Sequence, residues 1–241
     1  MRNSTHLIQD LCEIPFDPNL HFVSFDITNI YTNIPTDKLI DIIDSLCRKH
    51  LINEKLRHEI IKISQLIIQQ NYFQFLNSFY IHENGLAMGS PTSSIFSEVI
   101  LQHIESTAIF EILVQNCIIG YFRYVDDILI VYNESITNIH EVLNAFNYLT
   151  PNIKFTMEEE TDNSINFLVV TIRKENNTLT FSVYRKPTTT DSIIPRDSCH
   201  PQEHKHAAIR HLINRMNTYN LNTANKEGEK YHQTHNKQEK V

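Results

Sequence analysis

Apolar residues recur along this chain at two periods, and the points where the period changes delimit its elements. His21 to Ile27 reads as a buried strand with Asp26 at its end. Leu39, Ile40, Ile42, Ile43 and Leu46 follow at helical spacing behind Thr36-Asp37, a pair able to cap a helix. Asn53 opens a second helix whose stripe is Leu56, Ile60, Ile63, Leu66 and Ile67. Tyr72 to Leu76 and Phe79 to Ile81 flank Asn77-Ser78 and predict a hairpin. A long helix is expected from about Thr92 to Val114, with Ile95, Val99, Leu101, Ile104 and Ile109 inward. Two β-rich runs then meet at Asp126-Asp127: Ile118, Ile119, Tyr121 and Phe122 before it, Ile128 to Tyr132 after it. Ser135 or Thr137 starts an amphipathic helix that ends before Pro151. Ile153 to Met157 alternates as a strand, and Ile165 to Arg173 with Thr178 to Tyr184 forms a hairpin around Asn176-Asn177. A short helix is expected from Pro201.

The ends are patterned differently. Residues 1–20 are polar with weak periodicity and read as a lead-in without a fold of its own. From about Thr218 the chain is rich in Asn, Lys, Glu and His, which predicts a disordered tail at 218–241. The 241 residues allow one large domain, or one domain and an appendage, and a 41% apolar fraction is enough for a core. No run is long and apolar enough to span a bilayer, and no signal pattern opens the chain. Cys12, Cys47, Cys117 and Cys199 lack paired spacing and read as reduced, intracellular thiols. A net charge of −7 excludes a surface that is basic overall, so nucleic-acid binding needs a local patch. Arg173, Lys174, Arg185, Lys186, Arg196, Lys205, Arg210 and Arg215 supply one.

Paired aspartates at a hairpin tip are often only turn formers. Here buried-type strand follows at once, and two carboxylates beside a core need a cationic partner. A divalent metal would serve, and Asp26 is the candidate third carboxylate. If its strand neighbours the one beside Asp126, then Asp26, Asp126 and Asp127 converge at one sheet edge. Such a set, with no His or Cys near, suits Mg²⁺ or Mn²⁺. Cys199, His200, His204 and His206 form an incomplete zinc set, for which capping and nucleic-acid contact are the stronger reading. Phosphate-binding glycine loops of the Walker or dinucleotide type are absent.

Several motifs together resemble the palm of reverse transcriptases, most closely those of Penelope-like retroelements. Phe25-Asp26-Ile27-Thr28-Asn29-Ile30-Tyr31-Thr32-Asn33-Ile34-Pro35 resembles the family's motif A. Gly85-Leu86-Ala87-Met88-Gly89-Ser90-Pro91-Thr92-Ser93-Ser94 resembles motif B, and Tyr124-Val125-Asp126-Asp127 motif C. Ile165-Asn166-Phe167-Leu168 and Tyr184-Arg185-Lys186-Pro187-Thr188 are similar to the passage from primer grip to thumb. Ser198-Cys199-His200-Pro201, with His204-Lys205, is similar to the next segment along the chain in these elements. The resemblance implies an α+β palm over 21–185, an antiparallel sheet backed by helices, then a thumb-like helical segment over 186–217. It implies RNA-directed DNA synthesis, with an RNA template, a DNA primer and dNTP as partners and no membrane. Two Mg²⁺ ions, or Mn²⁺ in their place, would be held by Asp26 and Asp126, helped by the Ile27 carbonyl, with Asp127 weaker. Tyr31 would stand under the incoming sugar and exclude a ribose 2′-hydroxyl. Met88, Gly89 and Ser90 would lie by the nucleotide and template base, and Arg185 and Lys186 by the primer backbone.

Bland readings stand beside these: Tyr31 as a core ring, Gly89-Ser90-Pro91 as a helix-opening turn, Arg185 and Lys186 as a solvated basic face. Met88 departs from the Gln many reverse transcriptases carry there. Only 25 residues precede Asp26, too few for a fingers region, and no GIY-YIG nuclease pattern occurs, so a truncated copy is expected. A non-catalytic nucleic-acid-binding remnant is the alternative. An RNA-dependent RNA polymerase is the further rival, and Tyr31 speaks against it. Action on chromosomal DNA would place the protein in the nucleus.

Overall fold

The computed structural model describes residues 1, 3–81, 84–188, 194–195 and 197–219. Arg196 and the expected tail from residue 220 lie outside the described residues, as does the side chain of Arg215. The chain divides into two compact units, one of residues 25–158 and one of residues 1–24 with 159–241.

The unit of residues 25–158 is built on a sheet. Its strands are β1 (Leu20–Thr28), which runs in from the other unit, then β4 (Gly120–Tyr124), β5 (Asp127–Asn133) and β6 (Lys154–Glu159). The spatial order is β4-β5-β1-β6, so β5 lies directly beside β1. Along β1 the side chains alternate as the pleat requires: Phe25 and Ile27 are buried while Asp26 between them is exposed. Phe25 meets Phe146 edge-on at 5.6 Å, and Phe146 meets Phe155 at 5.3 Å. Phe146 belongs to α7 (Ile139–Leu149), so this aromatic row fixes that helix to the sheet. The cap of α7 is Asn138, whose side chain accepts the His140 amide, not Ser135 or Thr137 as expected.

Helices α2 (Ile30–Asn33), α3 (Thr36–Lys49) and α4 (Glu54–Gln69) follow β1. Asn53 caps α4 as expected, accepting the Leu56 amide at 2.9 Å. Pro35, without a side-chain bond, holds the cap position of α3 in place of Thr36-Asp37. Arg57 pins α4 to α3 by ion-pairing with Asp44. Strands β2 (Tyr72–Phe75) and β3 (Ser78–Ile81) form the expected hairpin, but it turns at Leu76-Asn77, one residue early. The long helix forms in three parts: α5 (Ser93–Ile104), a π-helical turn over Glu105–Ile109, and α6 (Phe110–Gln115). Leu101, Ile104 and Ile109 point inward as expected, whereas Ile95 is 62% exposed and Phe96 takes its place in the core.

In the other unit, residues 1–20 are not structureless. α1 (Ser4–Glu13) buries Leu7, Ile8 and Leu11, and Asn3 caps it by accepting the His6 amide. The stretch expected as one strand from Ile165 to Arg173 breaks at Leu168, whose φ is +54°. The result is a three-stranded meander of β7 (Ser164–Phe167), β8 (Val170–Glu175) and β9 (Thr178–Val183). Glu160 organises this unit. It accepts from the Phe22 amide at 3.1 Å, pairs with His21 at 2.8 Å, and pairs with Lys174, whose ammonium also donates to the Leu20 carbonyl. The helix expected from Pro201 is α8 (Gln202–Tyr219), 18 residues long rather than short. Lys205 is buried there and donates to the Ser198 carbonyl at 2.6 Å. Among the described residues no helix is long and apolar enough to cross a membrane.

Candidate functional site

The hairpin β4–β5 closes on the pair Tyr124 and Asp127, leaving Val125 and Asp126 as its two turn residues. Val125 has φ +57°. A β-branched residue is a poor occupant of that region, where strain costs about 1–3 kcal/mol. The neighbours hold it there. The Val125 carbonyl accepts from the Arg123 guanidinium at 3.0 Å. Arg123 is in turn bonded to Glu98 on α5 and to Glu105 at the start of the π-helical turn, at 2.6 to 3.0 Å. Tyr121 donates its hydroxyl to Glu105 at 2.9 Å.

This network sets its own protonation. Burial works against the charge on Arg123, yet its bonds to Glu98 and Glu105 outweigh that and push its pKa up. The Arg123 hydrogen bond holds the Glu98 carboxyl below its usual range. Burial, with the Glu105 charge added, pushes the Tyr121 hydroxyl up. The sequence reading missed Arg123, Tyr121, Glu98 and Glu105. Two signals mark them: Tyr121 and Arg123 share a strand face, and Glu98 and Glu105 are seven apart, two helical turns, on one helix face.

Asp126 and Asp127 are both half-buried, and Asp127 is the first residue of β5. Asp26 stands exposed on the adjacent strand β1, two residues from its end, so the strand adjacency expected from the sequence is present. The donors are all carboxylate oxygens, a hard set that fits Mg²⁺ or Mn²⁺ by chemistry. They are not assembled into a closed ligand set: among the described residues no three His, Cys, Asp or Glu gather to hold a metal ion. The same holds for the Cys199, His200, His204 and His206 cluster, where the His200 Nδ1 lies 3.3 Å from the Ser198 hydroxyl.

The segments of Tyr31 and Gly85 are locked together through backbone. The Tyr31 carbonyl accepts the Leu86 amide at 2.6 Å. Gly85, at φ +77°, lies so close to Thr32 that an added Cβ would sit 2.4 Å from its carbonyl oxygen. Here glycine is required twice, for its dihedral and for the close approach. Buried Asn71 donates to the Gly85 carbonyl at 3.0 Å, and Ser93 donates its hydroxyl to the Ala87 carbonyl at 2.7 Å. Above this base Met88 is 70% exposed, and the Cβ position of Gly89 faces open space. The Ser90 and Thr92 hydroxyls are 2.9 Å apart at the entry to α5. Arg185 and Lys186 belong to the other unit, where both are exposed just after β9.

No protein-family model matches the chain, and no curated protein matches it. Solved structures do. A Candida tropicalis telomerase in complex with a fragment of telomeric RNA is 14% identical with a TM-score of 0.61, covering 88% of this chain and 37% of its own. A Candida tropicalis apo telomerase truncated of its C-terminal domain is 15% identical with a TM-score of 0.58, covering 76% and 40%. The Candida albicans telomerase in complex with telomeric RNA is 14% identical with a TM-score of 0.58, covering 75% and 35%. The chain thus spans well under half the length of the solved chains it matches. At such identities the likeness is one of fold: this chain shares the fold of part of those telomerase chains.

Proposed function

We propose that this chain is the palm of a reverse transcriptase from a Penelope-like retroelement, adding dNTP to a primer 3′-hydroxyl on an RNA template. The observation that carries the reading is the adjacency of β1 and β5, the strand of Asp26 beside the strand that Asp127 opens. In this reading Asp26 and Asp126 hold two Mg²⁺, with the Ile27 carbonyl assisting and Asp127 as a weaker ligand. Bound there, the cations would activate the primer hydroxyl and take up charge on the pyrophosphate leaving group.

The chain's own residues do the rest. Asp26 projects from a strand whose other face is buried, so its carboxylate has a stiff base. Tyr31 is tied through its carbonyl to the Gly85–Leu86 loop, which would fix its ring under the incoming sugar against a ribose 2′-hydroxyl. Met88 and Gly89 are exposed where nucleotide and template base would lie, and Met88 can pack there but donates no hydrogen bond. Arg185 and Lys186 would neutralise primer phosphates. The telomerases of like fold that carry RNA support a nucleic-acid partner. The second reading is a non-catalytic nucleic-acid-binding remnant, which would use the exposed Arg185 and Lys186.

Primer extension on an RNA template, with Mg²⁺ and with Mn²⁺, separates the two. The polymerase reading predicts extension with dNTP, little with rNTP, and none above background for Asp126→Ala. The remnant reading predicts template binding without extension. Equal extension by the wild type and Asp126→Ala would contradict the assignment of the acids.

A further inference from the structure

We propose that Arg123 is a positioning residue: it holds the strained turn that presents Asp126 and couples that turn to the helix leaving the Gly85–Thr92 loop. The inference rests on the polymerase reading for its purpose, but its geometry stands by itself.

The guanidinium has five N–H donors. Nε reaches Glu105 Oε1 at 2.6 Å and Nη2 reaches Glu105 Oε2 at 3.0 Å. Nη1 and Nη2 each reach a Glu98 oxygen at 2.9 Å, and Nη1 also reaches the Val125 carbonyl at 3.0 Å. Every donor is used. Two carboxylates in fork geometry fix the guanidinium plane, leaving one N–H aimed at the carbonyl of the turn. That plane is well supported: the Arg123 side chain is 9% exposed and that of Glu105 is 12%. Glu105 is further fixed by Tyr121.

The π-helical turn belongs to the same device. It begins at Glu105, and the Ser106 and Thr107 hydroxyls both donate to the His103 carbonyl, at 3.0 and 2.7 Å. Such turns cost regularity and are frequent at functional sites. Here it lies where the helix supplies its second carboxylate to Arg123.

The turn needs this help. Val125 carries φ +57°, a conformation a valine leaves unless the surroundings over-determine it. Asp126 is the next residue. If Val125 relaxes, the backbone direction that sets the Asp126 side chain changes with it. A lysine at 123 would keep the charge but cannot serve two carboxylates and a carbonyl from one point. A glycine at 125 would accept φ +57° freely and remove the need for the clamp.

The test uses the full chain and two readouts, with wild type, Arg123→Lys, Val125→Gly and the double variant. Nuclear magnetic resonance couplings and shifts report the backbone angle at residue 125. Mn²⁺ titration, read as paramagnetic broadening of the Asp126 and Asp127 amides, reports cation binding. In Arg123→Lys the positive φ at Val125 is lost and Mn²⁺ affinity at the turn falls at least about tenfold, about 1.4 kcal/mol. In the Val125→Gly background the same lysine costs less than about twofold, the coupling that a merely structural role would not produce. Retention of the positive φ, or equal Mn²⁺ affinity, in Arg123→Lys overturns the proposal. If the wild type shows no broadening at all while the angle responds as stated, the clamp stands and the polymerase reading fails instead. Should Arg123→Lys not fold, Glu98→Gln replaces it, with the same angle change expected and an unchanged angle overturning the proposal.

Discussion

Two hairpins of this chain have the same length of turn and opposite surroundings. β2–β3 turns at Leu76-Asn77 with φ of +47° and +65°, and every one of its strand residues is exposed. β4–β5 turns at Val125-Asp126, and Ile128 to Tyr132 on its second strand are all buried. The first is held by its own aromatic pairs, Phe73 stacked on Tyr80 at 5.4 Å and Tyr72 edge-on to Phe79 at 6.4 Å. The second is held by core burial and by the Arg123 network. The contrast shows how the chain distributes rigidity. The turn that carries Asp126 is fixed from outside itself, through Glu98, Glu105 and Arg123, whereas the Leu76-Asn77 turn lies between strands joined by their own aromatic pairs.

Breaking each side of that contrast has effects of different size. Arg123→Gln leaves the Glu105 carboxylate, 12% exposed, without its cation, a loss of about 3–5 kcal/mol, while Glu98, 42% exposed, is screened by water and adds little. Denaturant unfolding would read this as a fall in midpoint at unchanged slope. The network also has a pH signature. The folded Glu98 pKa lies below its ordinary 4.5, so its contribution is present above that value and is lost as pH falls through the lower folded pKa. Below pH 4.5, Arg123→Gln should therefore lose less stability with acid than the wild type.

Gly85→Ala comes next. An added methyl meets the Thr32 carbonyl at 2.4 Å in a positive-φ position, and about 2–4 kcal/mol of destabilisation is expected. Gly89→Ala pays only for its φ of +85°, about 1–2 kcal/mol, since its Cβ faces open space. Parallel unfolding curves of the two variants check the order. Smallest is Phe73→Ala: a cross-strand pair contributes about 0.2–1 kcal/mol, visible as faster amide exchange in β2–β3 with little change in global stability.

The same comparison explains what could be read from the sequence. The carboxylate hairpin was legible because two apolar, β-rich runs bracket Asp126-Asp127, and the strand of Asp26 because Phe25 and Ile27 flank it. Turn positions were less legible because this chain has four glycines and places other residues at positive φ. Leu76 shifted the β2–β3 turn by one residue, and Leu168 broke an expected strand in two; leucine carries no turn signal at either place. Asn176-Asn177, whose side chains do tolerate that region, turns the β8–β9 hairpin where its residue types predict. α1 was hidden by its shortness, although Asn3 and the spacing of Leu7, Ile8 and Leu11 carry its code. The phase of α5 differs from expectation at Ile95 because neighbouring Phe96 offers the larger apolar surface to the core. The Arg123 network required three elements to meet, and only its Glu98–Glu105 spacing is local.

The central claim is the proposal that Asp26, on β1, and Asp126, in the turn that leads into the neighbouring strand β5, serve the same cations. Mn²⁺ binding by the full chain, followed by electron paramagnetic resonance for wild type, Asp26→Asn and Asp126→Asn, tests it directly. The account predicts that each single substitution weakens binding at least about tenfold and that the double variant is little worse than either, as for ligands of one site. Asp26→Asn binding Mn²⁺ as the wild type does, while Asp126→Asn fails, would contradict it.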